Sequence, residues 1–175
     1  DGGEVVTVGS TDWVFGLADD RAIAAMSAAL NSPHEVASAA HLPVRIAART
    51  GIDLVTKPGT TVTAVRIEGP GPSVDHRCAA LRRELGAGIA TEELHSMRSS
   101  MFWRAVRDVA PLLPDPSAQL WRLSVPPAAG AKVIRDIATG LHSLRRGEGA
   151  KGESEATRAA IDYYYDWAGG LIWLT

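Results

Sequence analysis

The feature that most constrains this chain is a repeated change in the spacing of its apolar residues. In Thr60–Glu68 they alternate, with Val65 and Ile67 on one side of a strand and Arg66 and Glu68 on the other. A turn follows at Gly69–Pro72. Behind Ser73, a helix N-cap, Val74, Cys78, Leu81 and Leu85 recur at every third or fourth position, and Gly86 closes the helix. Strand and helix patterns alternate in this way along the whole chain, which predicts an α+β fold.

Val5–Leu17 reads as a strand rich in β-branched and aromatic residues. Asp19 and Asp20 offer an N-cap to a helix that puts Ile23, Met26 and Leu30 on one face and stops at Ser32-Pro33. In His34–Leu42 the alanines favour helix, while the shortness of the segment and Pro43 allow strand. Pro43–Gly59 carries little pattern beyond a loop near Lys57. Ile89–Thr91 fits a short edge strand. Ser99 or Ser100 caps a further helix carrying Phe102, Val106 and Val109, stopped by Pro111 and Pro114.

The pattern then restarts. Leu120–Val125 alternates, turning Trp121 and Leu123 toward a core and Arg122 away from it. After Pro126-Pro127 a helix aligns Val133, Ile137, Leu141 and Leu144. Gly147–Thr157 is polar and glycine-rich, the composition of a mobile loop. Ile161–Trp167 and Leu171–Leu174 flank Ala168-Gly169-Gly170 as a hairpin. Residues 1–95 therefore fit a ferredoxin-like plait, an antiparallel sheet with helices on one face. Residues 96–117 form a linking helix and Pro-rich loop, and 118–175 a second, incomplete β-α-β-β unit of the same domain.

Composition narrows the function. Of 175 residues, 46% are apolar and 22% charged, the balance of a globular domain rather than a disordered or fibrous chain. No apolar run approaches the ~20 residues of a membrane span. One cysteine, Cys78, excludes an internal disulfide framework and points to a reducing cytoplasm. A net charge of −2 gives no reason to expect nucleic acid. His34, His41, His76, His95 and His142 show no metal-ligand spacing, so no metal site is expected. Acids concentrate before Glu35 and bases after Arg122. They read as solvated faces, or as docking surface for an anionic ligand or acidic partner. The chain lacks an initiator Met, opens in DGGEVV and stops in the apolar GLIWLT, so it is expected to be a piece of a longer polypeptide.

Tyr163–Trp173 spends three tyrosines and two tryptophans beside two glycines. Sheet packing explains such a segment. So does a wall for a planar cofactor or substrate. Alternation places Tyr163, Tyr165 and Trp167 on one side and Tyr164 and Asp166 on the other. If the hairpin forms such a wall, its aromatics leave an exposed patch on an open face of the sheet.

The series HLP (41–43), FWRAVRD (102–108), LWRLSVPPAAG (120–130) and YYDWAGGLIWL (164–174) resembles the C-terminal half of the FAD-binding E subunit of bacterial glycolate oxidase, of the vanillyl-alcohol oxidase type. The resemblance implies a cap domain that completes the site of an FAD-binding domain on the same polypeptide. The complex would oxidise glycolate to glyoxylate beside a catalytic D subunit and an iron–sulfur subunit. The chain would be cytoplasmic, or peripheral to the inner membrane through that complex. FAD would belong to the full-length protein, and this chain alone would neither retain it nor turn over substrate. The residues expected to touch cofactor or substrate are Arg122, Asp166, Trp167, Gly169, Gly170, Trp173 and His41. Arg122 offers a planar fork to a carboxylate or flavin carbonyl, or else pairs with Asp166 if their strands are neighbours. No residue is singled out as catalytic. The alternative is a ferredoxin-like regulatory or subunit-docking module without catalysis.

Overall fold

The computed structural model of the chain describes residues 7–85, 91–115, 117–147 and 161–175. The elements are β1 (Thr7–Phe15), α1 (Asp19–Leu30), β2 (Val36–Leu42), α2 (Val44–Ala47), α3 (Asp53–Thr56), β3 (Val62–Pro70), α4 (Gly71–Leu85), β4 (Thr91–His95), α5 (Ser96–Arg107), β5 (Trp121–Ser124), α6 (Gly130–Gly147), β6 (Tyr163–Asp166) and β7 (Leu171–Leu174). The stop at Gly86, the strand start at Ile89 and the loop beyond Gly147 lie outside the described residues.

The strands form one antiparallel sheet in the order β4-β1-β3-β2-β6-β7-β5. Its first four strands have the β-α-β-β-α-β connectivity and order of the ferredoxin-like plait, as the alternation of apolar spacing predicts. The strands of 118–175 build no sheet of their own. They extend the plait where β6 pairs with β2, through Ala40 opposite Asp166 and His41 opposite Tyr165.

The open choice over His34–Leu42 resolves as strand, because β2 has a partner on each side. Its alanines suit that position: Ala39 and Ala40 are fully buried between helical layers on opposite faces. Three expected caps differ. Asp19 is the first residue of α1 rather than its N-cap, and Ala18 in the cap position offers no side-chain bond. Helix α4 starts two residues before Ser73. Helix α5 starts at Ser96, leaving Ser99 inside it with its hydroxyl 2.6 Å from that of Thr11.

Both faces of the sheet carry a core. Ile23 and Met26 of α1, Val74, Cys78 and Leu81 of α4, and Ala131 and Ile134 of α6 pack on one face against Ala39, Val65, Ile67, Tyr165 and Ile172. Helix α5 covers the other face, which a bare plait would leave open. Phe102, Trp103 and Val106 meet Ala40, Leu42, Val62, Ala64 and Tyr164 there. Trp103 Nε1 donates to Thr11 Oγ1 at 2.9 Å, and the Tyr164 hydroxyl donates to the Val106 carbonyl at 2.6 Å. The linking helix thus clamps both parts of the sheet.

The expectation that Trp121 and Leu123 turn into a core holds only for Leu123. Edge strand β5 leaves Trp121 57% exposed, while Leu123 packs against the α1–α6 side.

Candidate functional site

A groove of about 600 Å³ opens on the α5 face where the β2–β6 seam ends. Pairing stops at Ala40 and Asp166 because the chain turns sharply at Trp167, leaving the first half of β2 without a partner on that side. A register shift between Val36 and Ser38 adds a bulge at the same place. Three tryptophans line the space: Trp103 from α5, Trp167 from the turn and Trp173 from β7. Its charged lining is Arg66, Arg104, Arg107 and Asp166.

These charges are not equivalent. Arg66 is held by Glu68, and Arg107 by the carboxylate of Asp108 at 2.7 Å. Arg104 is exposed and forms no ion pair among the described residues. Asp166 Oδ1 accepts the Trp167 N–H at 2.8 Å. Burial raises the Asp166 carboxyl above the usual range, only partly offset by that bond. Its other oxygen has no hydrogen-bond partner among the described residues, which leaves an acceptor facing a net positive, aromatic-lined space.

The turn from β6 to β7 is backbone-strained. Trp167 (φ 50), Ala168 (φ 52) and Gly169 (φ 86) are all left-handed, a conformation that only glycine adopts without cost. Strain of this kind throws Trp167 out of the strand alternation, and the residue is 72% exposed at the rim of the groove. Of the five aromatics in Tyr163–Trp173, Tyr164 and Tyr165 are fully buried on opposite faces, and Trp167 alone is largely exposed. The expected exposed aromatic surface is therefore a single tryptophan at the groove rim rather than a broad patch.

The expected site residues separate into two groups. Asp166, Trp167 and Trp173 line the groove. Arg122 lies just beyond them, opposite Trp173 in the sheet with its guanidinium carbon 5.7 Å from that ring. The pairing of Arg122 with Asp166 does not occur, because β7 runs between their strands.

His41, Gly169 and Gly170 serve the opposite side. His41 is fully buried, with Nδ1 2.9 Å from Thr63 Oγ1 and Nε2 3.3 Å from Asp19 Oδ1. Asp19 Oδ2 also accepts the hydroxyls of Tyr163 at 2.7 Å and Tyr165 at 2.8 Å. A Cβ on Gly169 would lie 2.9 Å from Ile23 Cδ1, so its missing side chain seats the turn on α1. Gly170 is pressed against Pro127 in the same way.

Sequence reasoning missed Arg104 and Trp103 as site residues, although FWRAVRD contains both. Apolar spacing marks Phe102 and Val106 as buried, and the residues between them border that core. No family model matches the chain, and no curated protein matches it.

Proposed function

We propose that this chain is the cap domain of a glycolate-oxidase-type FAD-dependent subunit, the groove beneath α5 forming the protein wall of a 2-hydroxy-acid site. The observation that carries this reading is the juxtaposition of a cation that makes no direct ion pair among the described residues, Arg104, with a partly buried carboxyl, Asp166, in one aromatic-lined groove. Arg104 would take the substrate carboxylate by a two-pronged hydrogen bond. Asp166, through its unpartnered oxygen, would accept the hydroxyl proton. Trp103 and Trp173 would exclude water beside the reacting carbon.

A flavin, when bound by the companion domain, supplies the hydride acceptor. The flat tryptophan faces suit a ring system. The head of α4 does not suit a pyrophosphate, because Pro70 and Pro72 have no N–H to offer. FAD would accordingly be held by the FAD-binding domain of the same polypeptide, and the D and iron–sulfur subunits would accept the electrons. The 175-residue chain alone should be colourless after desalting, and a flavin spectrum that survives would contradict this division of labour.

The test is the subunit carrying this cap together with its FAD-binding domain, assayed for dye reduction driven by 2-hydroxy acids. Asp166→Asn should lower kcat by about 10²–10⁴-fold, the usual worth of a general base. Arg104→Ala should raise KM more than it lowers kcat. A subunit that binds FAD and reduces dye with no 2-hydroxy acid would end the proposal.

A further inference from the structure

We propose that the groove takes a 2-hydroxy acid bearing an aromatic ring, with the ring among Trp103, Trp167 and Trp173 and the carboxylate on Arg104. The inference rests on the function proposed above only in giving the ligand a 2-hydroxyl. Its other two parts come from the groove itself.

Size is the first argument. The groove offers about 600 Å³, open to solvent on one side. Sites for drug-sized ligands run to about 300–1,000 Å³, and a water molecule takes ~30 Å³ of liquid. A two-carbon acid would leave most of this space to water. The accessible ring surface, which belongs to Trp167 and Trp173 because Trp103 is largely buried, would then stay wet and add nothing to its binding. A phenyl or indole ring takes up more of the space and can cover the accessible tryptophan surface.

The chemistry of the walls is the second argument. One tryptophan comes from a helix, one from a strained turn and one from a strand, so separate elements deliver rings to the same space. Aromatic faces at this density favour a flat ligand by stacked or edge-to-face contact. Trp167 is the informative member. It is a bulky residue held at φ 50 and 72% exposed, so neither backbone comfort nor burial accounts for its placement. Closure over a ring at the rim would account for it.

Charge is the third argument. Arg66 and Arg107 are in direct ion pairs with Glu68 and Asp108, while Arg104, though its charge reaches Asp108, makes no direct ion pair among the described residues. One unspent guanidinium matches one carboxylate. It does not match a dianion.

Titration calorimetry on the 175-residue chain with four probes decides the matter. Phenyllactate carries ring, hydroxyl and carboxylate. Phenylpropionate lacks the hydroxyl, phenylethanol lacks the carboxylate, and glycolate lacks the ring. Phenyllactate should bind at least tenfold more tightly than glycolate. Arg104→Ala should bring it down to the level of phenylethanol. Trp167→Ala should weaken phenyllactate severalfold and leave glycolate unchanged. Glycolate binding as tightly as phenyllactate would overturn the aromatic assignment while leaving the cap reading in place. Phenylpropionate matching phenyllactate would keep the aromatic carboxylate site and remove the support for a hydroxy acid. Failure of all four probes to bind would overturn the aromatic assignment, while the cap reading is decided by the dye-reduction assay on the subunit with its FAD-binding domain.

Discussion

Asp19 shows how much one side chain can carry. Its carboxylate accepts from His41, Tyr163 and Tyr165, which belong to β2 and β6, while the residue itself opens α1. Burial alone would raise its pKa, but the three hydrogen bonds together bring it below the usual carboxylate value. A group with a depressed folded pKa stabilises the protein above its unfolded pKa of ~3.9, and that contribution is lost as pH falls through the folded value. Asp19→Asn should therefore cost about 2–4 kcal/mol at pH 7, since two partly buried hydroxyls lose a charged acceptor. The gap to the parent protein should narrow as pH falls through the depressed folded pKa of Asp19. Urea denaturation at pH 7 and in acid measures it, and an equal gap at each would show that the charge is irrelevant. Nothing in the sequence marks this role. Asp19 and Asp20 are adjacent acids at a helix start, and only the tertiary return of β6 beside β2 distinguishes the buried one from Asp20, whose carboxylate meets Arg135 at the surface.

Elements were legible where one local pattern had one solution. The plait followed from alternating strand and helix periods, and β3 and α4 lie close to where Val65, Ile67, Val74 and Leu81 put them. The groove was legible only in part. Asp166, Trp167 and Trp173 stand out by composition, but the space depends on where the short β2–β6 seam ends and on α5 crossing it. No residue-level periodicity encodes that crossing. The β6–β7 turn offers a test at this scale. Gly169→Ala adds a Cβ at φ 86 against Ile23 and within 3.1 Å of the Pro127 carbonyl oxygen, so it suffers both conformational strain and overpacking. The expected cost is about 2–4 kcal/mol. In an Ile23→Ala background, which removes both Cδ1 and Cγ1, each 2.9 Å from the added Cβ, the same change should cost less. Thermal melts of the four proteins decide it, and simple additivity would show that backbone strain alone is at work.

At the scale of the whole molecule the question is how two units share one sheet. Only two residue pairs join β2 to β6, too short a seam to hold three strands unaided. Side chains supply the rest: Tyr163 and Tyr165 reach Asp19, Arg49 reaches Asp162, and Tyr164 reaches the Val106 carbonyl. Among the described residues no helix is long and apolar enough to cross a membrane. Helix α5 is central because it touches both parts, with Phe102 fully buried under it. Phe102→Ala should cost about 3–5 kcal/mol, the range for removing a buried phenyl ring. The loss should be uneven. If β5, β6 and β7 rely on α5 and on these few bonds, hydrogen exchange in Tyr163–Leu174 should accelerate in the variant before exchange in β1 and β3, the paired centre of the plait. Exchange that rises equally in all strands would mean that the seven-stranded sheet unfolds as one unit and that the seam is not its weak point.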